Sequence, residues 1–169
     1  MTEPISTEPE ATPRAASQWG IRPAGEGDAA TVAAAVGELL DELGGRQPAP
    51  AELDAEVRAA LADQAGATLL LAEAGGELIG VLSASWQRAI HVPGPYATIQ
   101  DLWVRRDWRS QAVGAGLVAA LAELAGERGV ARIEVGLPRE TFAAIGATEA
   151  FYRSNGFEHL GPRMRRLLP

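Results

Sequence analysis

The chain has 169 residues, of which 47% are hydrophobic and 22% are charged, and this size and composition fit one globular domain with its own core. It contains no cysteine, which excludes a disulfide scaffold, an iron–sulfur cluster, a cysteine-ligated zinc and a thiol nucleophile, and two histidines, His91 and His159, offer little to a multi-histidine metal site or a Ser–His–Asp triad. A formal net charge of −7 argues against nucleic-acid binding, and the absence of lysine excludes Schiff-base chemistry.

The N-terminal residues have few apolar side chains, and the sequence has no long apolar run. Residues 1–18 are rich in Pro, Glu, Thr and Ala, so we expect a disordered acidic tail before a single domain over residues 19–169. The tail lacks the basic-then-apolar order of a signal peptide, and no apolar run approaches the ~18 residues of a membrane span. We therefore expect a cytoplasmic protein without a membrane or nucleic-acid partner.

A strand and two helices are predicted first along the chain. Trp19–Arg22 is predicted as a short strand, and Asp28 as the cap of a helix that ends before Gly44-Gly45. A second helix is predicted over about Ala51–Ala65. Apolar residues recur at helical spacing in both, namely Val32, Val36, Leu39, Leu40 and Leu43 in the first and Leu53, Val57 and Leu61 in the second.

Three consecutive strands follow. Ala67–Ala74 is a compact apolar run, Gly75-Gly76 is a two-residue hairpin signal, and Glu77–Trp86 is the partner strand. After the Pro- and Gly-rich loop at residues 93–95, Tyr96–Val104 is predicted as the third strand.

Two helices and further strands are predicted in the rest of the chain, and the order of all the elements predicts the fold class. These last elements are a helix over about Val113–Arg128, a buried strand at Val130–Val135, a helix over about Thr148–Asn155, and terminal strands after Gly156-Phe157 with a last one at Arg163–Leu168. The order β-α-α-β-β-β-α-β-α-β(-β) predicts a mixed α/β (α+β) fold with a central mixed sheet flanked by helices. Three consecutive central strands argue against a doubly wound fold.

Residues 100–118, QDLWVRRDWRSQAVGAGLV, are the segment most indicative of chemistry. A strand runs into a short polar loop and then into a helix start made of small residues. Unpaired backbone amides point out of such a start, the helix dipole favours an anion there, and small side chains let a pyrophosphate come close. An ordinary helix start in an Ala- and Gly-rich chain is the alternative.

About forty residues later stands a second segment, residues 151–157, FYRSNGF. Together the two segments resemble the signature of the GNAT N-acetyltransferase superfamily, in which a strand ending in Val precedes R-x-x-G-x-G/A at a helix start and a later helix carries F/L-Y followed by G-F. The resemblance extends from Trp19 to about Leu168. It implies a GNAT-like fold and an acetyl-CoA-dependent N-acyltransferase.

Two frames fit the first motif. Gln111-x-x-Gly114-x-Gly116 matches it letter for letter, whereas the frame that begins at Arg109 places Ala112 where the family usually has its first glycine. We prefer the Arg109 frame, because Val104 then lies at the usual distance and Leu117-Val118 fall where the helix buries its first apolar pair. Ala112 is therefore a departure from the family pattern.

The resemblance implies acetyl-CoA as co-substrate and no metal. Backbone amides from Gln111 to Gly114 and just beyond would hold the pyrophosphate, and Leu102 and Val104 would pair through their backbone with the pantetheine arm. The full set of implied cofactor-binding residues is Leu102, Trp103, Val104, Arg109, Ser110, Gln111, Ala112, Val113, Gly114 and Ala115.

Three residues are candidates for catalysis. The resemblance implies Tyr152 as general acid toward the leaving thiolate, with a packed structural tyrosine as the alternative. It also implies the backbone amide of Leu102 as the group that polarises the acetyl carbonyl. Asp101 is the candidate base, because strand alternation places it with Ile99 and Trp103 opposite Leu102 and Val104, where an unpaired carboxylate would be costly; an ion pair with an arginine is the alternative.

Other residues have weaker claims. Glu134 shares a face with Arg132, His91 precedes the third central strand and could line an acceptor pocket, and Trp86, Trp103 and Trp108 are expected to pack. Many GNAT proteins have Asn and Ala at the positions of Ile145 and Thr148, so the role of that Asn does not carry over. The connection at residues 136–147 is longer than usual in the family and is expected to lie beside the acceptor mouth.

The leading hypothesis is an enzyme that transfers an acetyl group from acetyl-CoA directly to a primary amine of a small molecule or peptide. A degenerate GNAT fold that binds acyl-CoA as a regulatory or interaction module is the alternative, and acetylation of aminoacyl-tRNA is disfavoured by the acidic chain. Net negative charge favours a cationic acceptor. Homodimers are common in the family, but the sequence does not fix the oligomeric state.

Overall fold

The computed structural model describes residues 18–45, 47–161 and 164–166. The expected tail therefore lies outside the described residues except for Gln18, and so do Arg163, Leu167 and Leu168 of the expected last strand.

The described residues form a five-stranded sheet and four α-helices. The strands are β1 (Gly20–Pro23), β2 (Ala67–Ala74), β3 (Glu77–Arg88), β4 (Pro95–Val104) and β5 (Ile133–Val135). The helices are α1 (Ala29–Leu43), α2 (Pro50–Ala62), α3 (Val113–Glu127) and α4 (Ile145–Ser154), with short 3-10 turns at Glu26–Asp28 and Arg106–Trp108. The strands lie in the order β1-β2-β3-β4-β5, and only the β4–β5 pair is parallel. The predicted mixed fold is confirmed.

Helices cover both faces of the sheet. On one face, Val32 and Val36 of α1 and Val57 of α2 pack against strand residues including Leu71 and Val81. On the other face, the apolar stripe of α3 and Tyr152 of α4 form a second core with the strands; its members include Leu117, Leu121, Leu82 and Ile99. The sheet therefore separates two apolar layers, and the predicted helix stripes are the faces that are buried.

Helix α3 lies unusually close to the sheet at Gly80 of β3. A Cβ placed on Gly80 would meet side-chain atoms of Val113 and Leu117 at 3.0 Å, which is tighter than an ordinary contact. The missing side chain lets the first turn of α3 sit against β3, directly beside the end of β4. This packing fixes where the start of α3 lies.

Several predicted boundaries differ from the structure. Helix α2 ends at Ala62 rather than Ala65, β5 is confined to Ile133–Val135, and α4 begins at Ile145 rather than Thr148. Asp28 occupies the N-cap position of α1, but its carboxylate bonds to Arg22 and to the Gly25 amide instead of capping α1.

The expected terminal strands are not present in the described residues after α4. Residues 157–161 and 164–166 are neither strand nor helix. Phe157 instead turns back against Tyr152, because Gly156 adopts a positive φ of 84° and the Phe157 amide donates to the Tyr152 carbonyl. None of the helices in the described part of the chain is long and apolar enough to cross a membrane.

Candidate active site

The loop from Arg105 to Ala112 leads into α3, and two of its residues have a left-handed backbone conformation. Ser110 and Ala112 both have φ of 62°, and Ala112 is the N-cap of α3. This conformation favours glycine and costs a residue with a Cβ about 1 kcal/mol or more. Ala112 therefore occupies a position that suits glycine, which agrees with the frame that begins at Arg109.

Gly114, which both frames contain, and Gly116, which only the competing frame contains, are required by packing. A Cβ on Gly114 would lie 3.2 Å from the ring of Phe151, and one on Gly116 would lie 2.5 Å from Trp19. Both residues let neighbouring aromatic rings approach α3. Their spacing follows from the core and not from the loop.

The start of α3 presents backbone donors. The amide of Gly116 donates to the carbonyl of Ala112 over 2.8 Å, so it is already used. The amides of the first turn before it have no preceding helical carbonyl to bond. Among them are those of Val113, Gly114 and Ala115, three of the predicted cofactor-binding residues.

Two predicted cofactor-binding side chains turn back onto the protein. Nε of Arg109 donates to the carbonyl of Val104 over 3.0 Å, and its Nη2 lies 2.7 Å from Oε1 of Glu42. Nε2 of Gln111 donates to the carbonyl of Asp107 over 2.8 Å. These side chains brace the loop, and the backbone amides at the start of α3 are the donors whose position suits an anion.

Strands β4 and β5 part beside this loop. They pair only from Ala97↔Ile133 to Ile99↔Val135, after which β5 ends and β4 continues to Val104. The edge of β4 beyond Ile99 is therefore free of β5 and can accept an extended group. Leu102 and Val104, the residues expected to pair with pantetheine, lie on this edge and pack against the α3 side of the sheet.

Trp103 differs from its neighbours Leu102 and Val104. Its side chain is only 4% exposed and packs in the core under α1 and α2. The indole of Trp103 therefore lies on the face away from α3, and only its backbone is available as a cofactor-binding group.

Tyr152 is held between two aromatic rings at the end of α4. The centroids of Phe151 and Phe157 lie 5.1 and 5.3 Å from its ring centroid, both in edge-on geometry. The residue is 7% exposed. Burial, together with the negative charge of Asp101, raises the pKa of Tyr152 to about 12. The Tyr152 hydroxyl is therefore protonated at neutral pH, and it interacts electrostatically with the carboxylate of Asp101.

A β-bulge places Asp101 differently from strict alternation. Ser83 pairs with Asp101 and Ala84 pairs with Ile99, so Gln100 is an extra residue in β4. Ile99 consequently joins the α3-side core together with Leu102, and the prediction that it shares a face with Asp101 is wrong. The alternative to a base role, an ion pair with an arginine, is not among the hydrogen bonds of the described residues, and the hydroxyl of Ser83 instead donates to Oδ2 of Asp101 over 2.5 Å.

The weaker candidates for a functional role mostly make structural contacts. Glu134 forms an ion pair of 2.8 Å with Arg132. Trp86 donates to Thr68 and packs under the guanidinium of Arg128, 4.5 Å from the ring centroid. His91 is exposed in the turn before β4. In the described part of the chain no group of three His, Asp or Glu side chains is placed to hold a metal ion.

Two residues near the site were missed by sequence reasoning. Ser83 gave no signal, because a serine in a half-buried strand is ordinary. Glu42 did give one: an acidic residue in the last turn of a helix opposes the helix dipole and needs a cationic partner. A cavity of about 570 Å³ lies beside it; its lining residues are Glu38, Asp41, Glu42, Arg105, Arg106, Asp107 and Arg109.

The connection between β5 and α4 reaches toward the α1–α2 connection. A Cβ on Gly45 would lie 3.5 Å from Nη2 of Arg139. Because α4 already begins at Ile145, the connection is residues 136–144 and not 136–147.

The sequence matches one known protein family over most of its length. The model of a family described as "Acetyltransferase (GNAT) family" matches residues 35–157. No curated protein matches the sequence.

Solved structures resemble the chain over most of its length. A candidate acetyltransferase from Arthrobacter sp. FB24 is 28% identical, with a TM-score of 0.70 and coverage of 99% of this chain and 96% of that one. A possible acetyltransferase from Clostridium difficile 630 is 16% identical, with a TM-score of 0.77 and coverage of 89% and 97%. Aminoglycoside N-acetyltransferase AAC(6')-Iy in complex with CoA is 17% identical, with a TM-score of 0.76 and coverage of 93% and 98%.

Proposed function

Because the chain belongs to the GNAT acetyltransferase family, we propose that it transfers an acetyl group from acetyl-CoA directly to a primary amine of a small molecule or peptide. The observation that carries the proposal is the convergence of three features at one edge of the sheet. These are the free edge of β4 beyond Ile99, the start of α3 at Ala112, and the protonated hydroxyl of Tyr152.

The residues at this edge fit acetyl-CoA. The amides of the first turn of α3 and the positive end of the helix dipole suit a pyrophosphate. The free backbone of β4 around Leu102 suits the amide groups of pantetheine. When bound, acetyl-CoA supplies the acetyl group as a thioester and leaves as coenzyme A.

Different residues of the chain then carry out the separate proton transfers. Asp101 accepts a proton from the acceptor ammonium, directly or through water, so that the nitrogen lone pair can attack the acetyl carbon. The amide of Leu102 donates to the carbonyl oxygen as negative charge develops there. A carbon–nitrogen bond forms, the carbon–sulfur bond breaks, and the Tyr152 hydroxyl gives its proton to the departing sulfur. The nitrogen loses its second proton to solvent as the amide forms, and Tyr152 regains a proton from solvent. The products are an amide and a free thiol.

Net charge favours a cationic acceptor. The chain carries −7 formally, and a negative field attracts ammonium groups to its surface. Structural neighbours include proteins named aminoglycoside N-acetyltransferase and ribosomal-protein-alanine N-acetyltransferase. Both names describe amine acceptors, one a small molecule and the other a protein.

The direct test is a screen with purified protein, acetyl-CoA and a panel of polyamines, aminoglycosides and basic peptides. We expect release of free thiol with at least one amine, together with a mass increase of one acetyl group on that amine. Binding of acetyl-CoA without thiol release across the panel would instead support an acyl-CoA-binding regulatory module. Absence of acetyl-CoA binding would contradict both.

A further inference from the structure

Glu42, in the last turn of α1, bonds to the loop that leads into α3. Its Oε1 lies 2.7 Å from Nη2 of Arg109 and 3.5 Å from Nη2 of Arg106. The same Arg109 guanidinium donates through Nε to the carbonyl of Val104 over 3.0 Å. Arg109 thereby joins the end of β4 to a helix residue 67 positions earlier in the chain.

The loop needs an anchor outside itself. Ser110 and Ala112 both hold left-handed φ values of 62°, a conformation that residues with a Cβ leave when they are free to do so. The bonds of Gln111 and Arg105 to Asp107 lie within the loop and would move with it, and the pair of Arg105 with Glu77 of β3 over 2.9 Å anchors only the first residue of the loop. Glu42 instead belongs to α1, which is fixed to the sheet by buried residues such as Val36.

The position of Glu42 is unfavourable unless it is paired. The carbonyl end of a helix carries partial negative charge, so a carboxylate in the last turn is repelled. The hydrogen bond from Arg109 and the nearby Arg106 offset this and lower the pKa of Glu42. Glu42 is consequently ionised at neutral pH and held toward the loop.

We propose that Glu42 is a positioning residue that acts through Arg109 to hold the loop before α3 in its coenzyme-A-binding shape. The inference rests on the proposed function, because the amides of that loop and of the first turn of α3 are the groups proposed to bind pyrophosphate. Glu42 fixes Arg109, Arg109 fixes the end of β4 and the loop, and the amides keep one arrangement. The proposal predicts that breaking the pair of Glu42 and Arg109 weakens coenzyme A binding, whereas breaking a solvated surface ion pair would not.

The first experiment is calorimetric titration of the full chain with coenzyme A. We expect Glu42→Gln to raise the dissociation constant about tenfold, since small displacements of binding groups are costly. The melting temperature of the free protein is expected to stay nearly constant, because an ion pair with side chains 29% and 41% exposed contributes little to stability. With an acceptor in hand, KM for acetyl-CoA rises while kcat is nearly unchanged.

Glu38→Gln is the matched control. Glu38 lies one turn earlier on α1 and lines the same cavity, and within the described residues it forms no ion pair. We expect its dissociation constant to equal that of the wild type. An unchanged affinity in Glu42→Gln would overturn the inference while leaving the proposed function intact.

A double-mutant cycle tests whether Glu42 acts through Arg109. We expect Glu42→Gln to cause no further loss of affinity when Arg109 is already Met. A full additional tenfold loss in that background would overturn the inference, because Glu42 would then act by another route. Failure of the wild type to bind coenzyme A would refute the proposed function itself, and this inference with it.

Discussion

Burial and the charge of Asp101 raise the pKa of Tyr152 to about 12, so its hydroxyl keeps its proton at neutral pH. Tyr152→Phe keeps the ring between Phe151 and Phe157 and removes only the proton. We expect kcat to fall by on the order of 10²-fold with little change in KM for acetyl-CoA. Steady-state kinetics with Tyr96→Phe as the control measures this. Full activity of Tyr152→Phe from about pH 6 to 9 would reject the acid role.

Asp101 is held by Ser83 and has no arginine partner among the hydrogen bonds described for it. If its carboxylate accepts the ammonium proton, Asp101→Asn removes the base and retains the shape of the side chain. We expect the largest loss of kcat/KM at low pH, where the amine is hardest to deprotonate, and partial recovery at high pH. A pH profile that falls equally at all pH values would contradict the base role.

At the scale of elements, one arginine ties the first strand to its neighbours. Arg22 of β1 donates to both carboxylate oxygens of Asp28, before α1, and of Glu73 in β2. The Arg22 guanidinium, together with the amide of Gly25, lowers the pKa of Asp28 to about 2 from its ordinary 3.8. This network ties β1 and the start of α1 to β2.

The lowered pKa of Asp28 determines in which direction the stability of the protein changes with pH. A carboxyl whose pKa is depressed on folding stabilises the protein above its unfolded pKa, and that contribution is lost as pH falls from about 4 toward 2. We expect Asp28→Asn to lower the free energy of unfolding at neutral pH by about 1 kcal/mol and to flatten this acid decline.

Urea unfolding at several pH values measures both effects. Asp54→Asn is the matched control, because Asp54 pairs with Arg58 on the exposed face of α2. An acid decline as steep in Asp28→Asn as in the wild type would show that other groups dominate it.

Elements with a local signal were predictable from the sequence, and contacts that depend on distant partners were not. Ala67–Ala74 was predicted with its observed limits, because an apolar run followed by Gly75-Gly76 is a strong hairpin signal. The bulge at Gln100 has no such signal, since it depends on how β3 pairs with β4, and it reversed the predicted face of Ile99. The bond from Glu42 to Arg109 joins residues that only the fold brings together.

At the scale of the whole molecule, the sheet separates the two halves of the proposed reaction. Asp101 and Trp103 belong to the face covered by α1 and α2, whereas Leu102 and Tyr152 belong to the face covered by α3 and α4. The two sides meet at the free edge of β4. The direct transfer proposed above needs no acyl carrier between the two sides, and the chain has no cysteine that could serve as one.

Whole-molecule charge also shapes the expected response to acetyl-CoA. The ligand is a polyanion and the chain carries a formal charge of −7, so long-range electrostatics oppose binding, while the amides at the start of α3 favour it at short range. Salt screens the long-range part more than the close contacts. We therefore expect affinity for acetyl-CoA to be maintained or to rise slightly as ionic strength increases.

Thermal unfolding with and without acetyl-CoA tests this expectation. A ligand at a hundred times its Kd stabilises the native state by ~2.7 kcal/mol, which for a chain of this size raises Tm by roughly 5 to 10 °C. We expect such a shift at both about 50 and about 300 mM salt, and none with adenosine, which lacks the phosphates and the pantetheine arm. A shift that collapses at the higher salt would mean that exposed arginines hold the ligand. No shift at millimolar acetyl-CoA would remove the basis for acyl-CoA binding altogether.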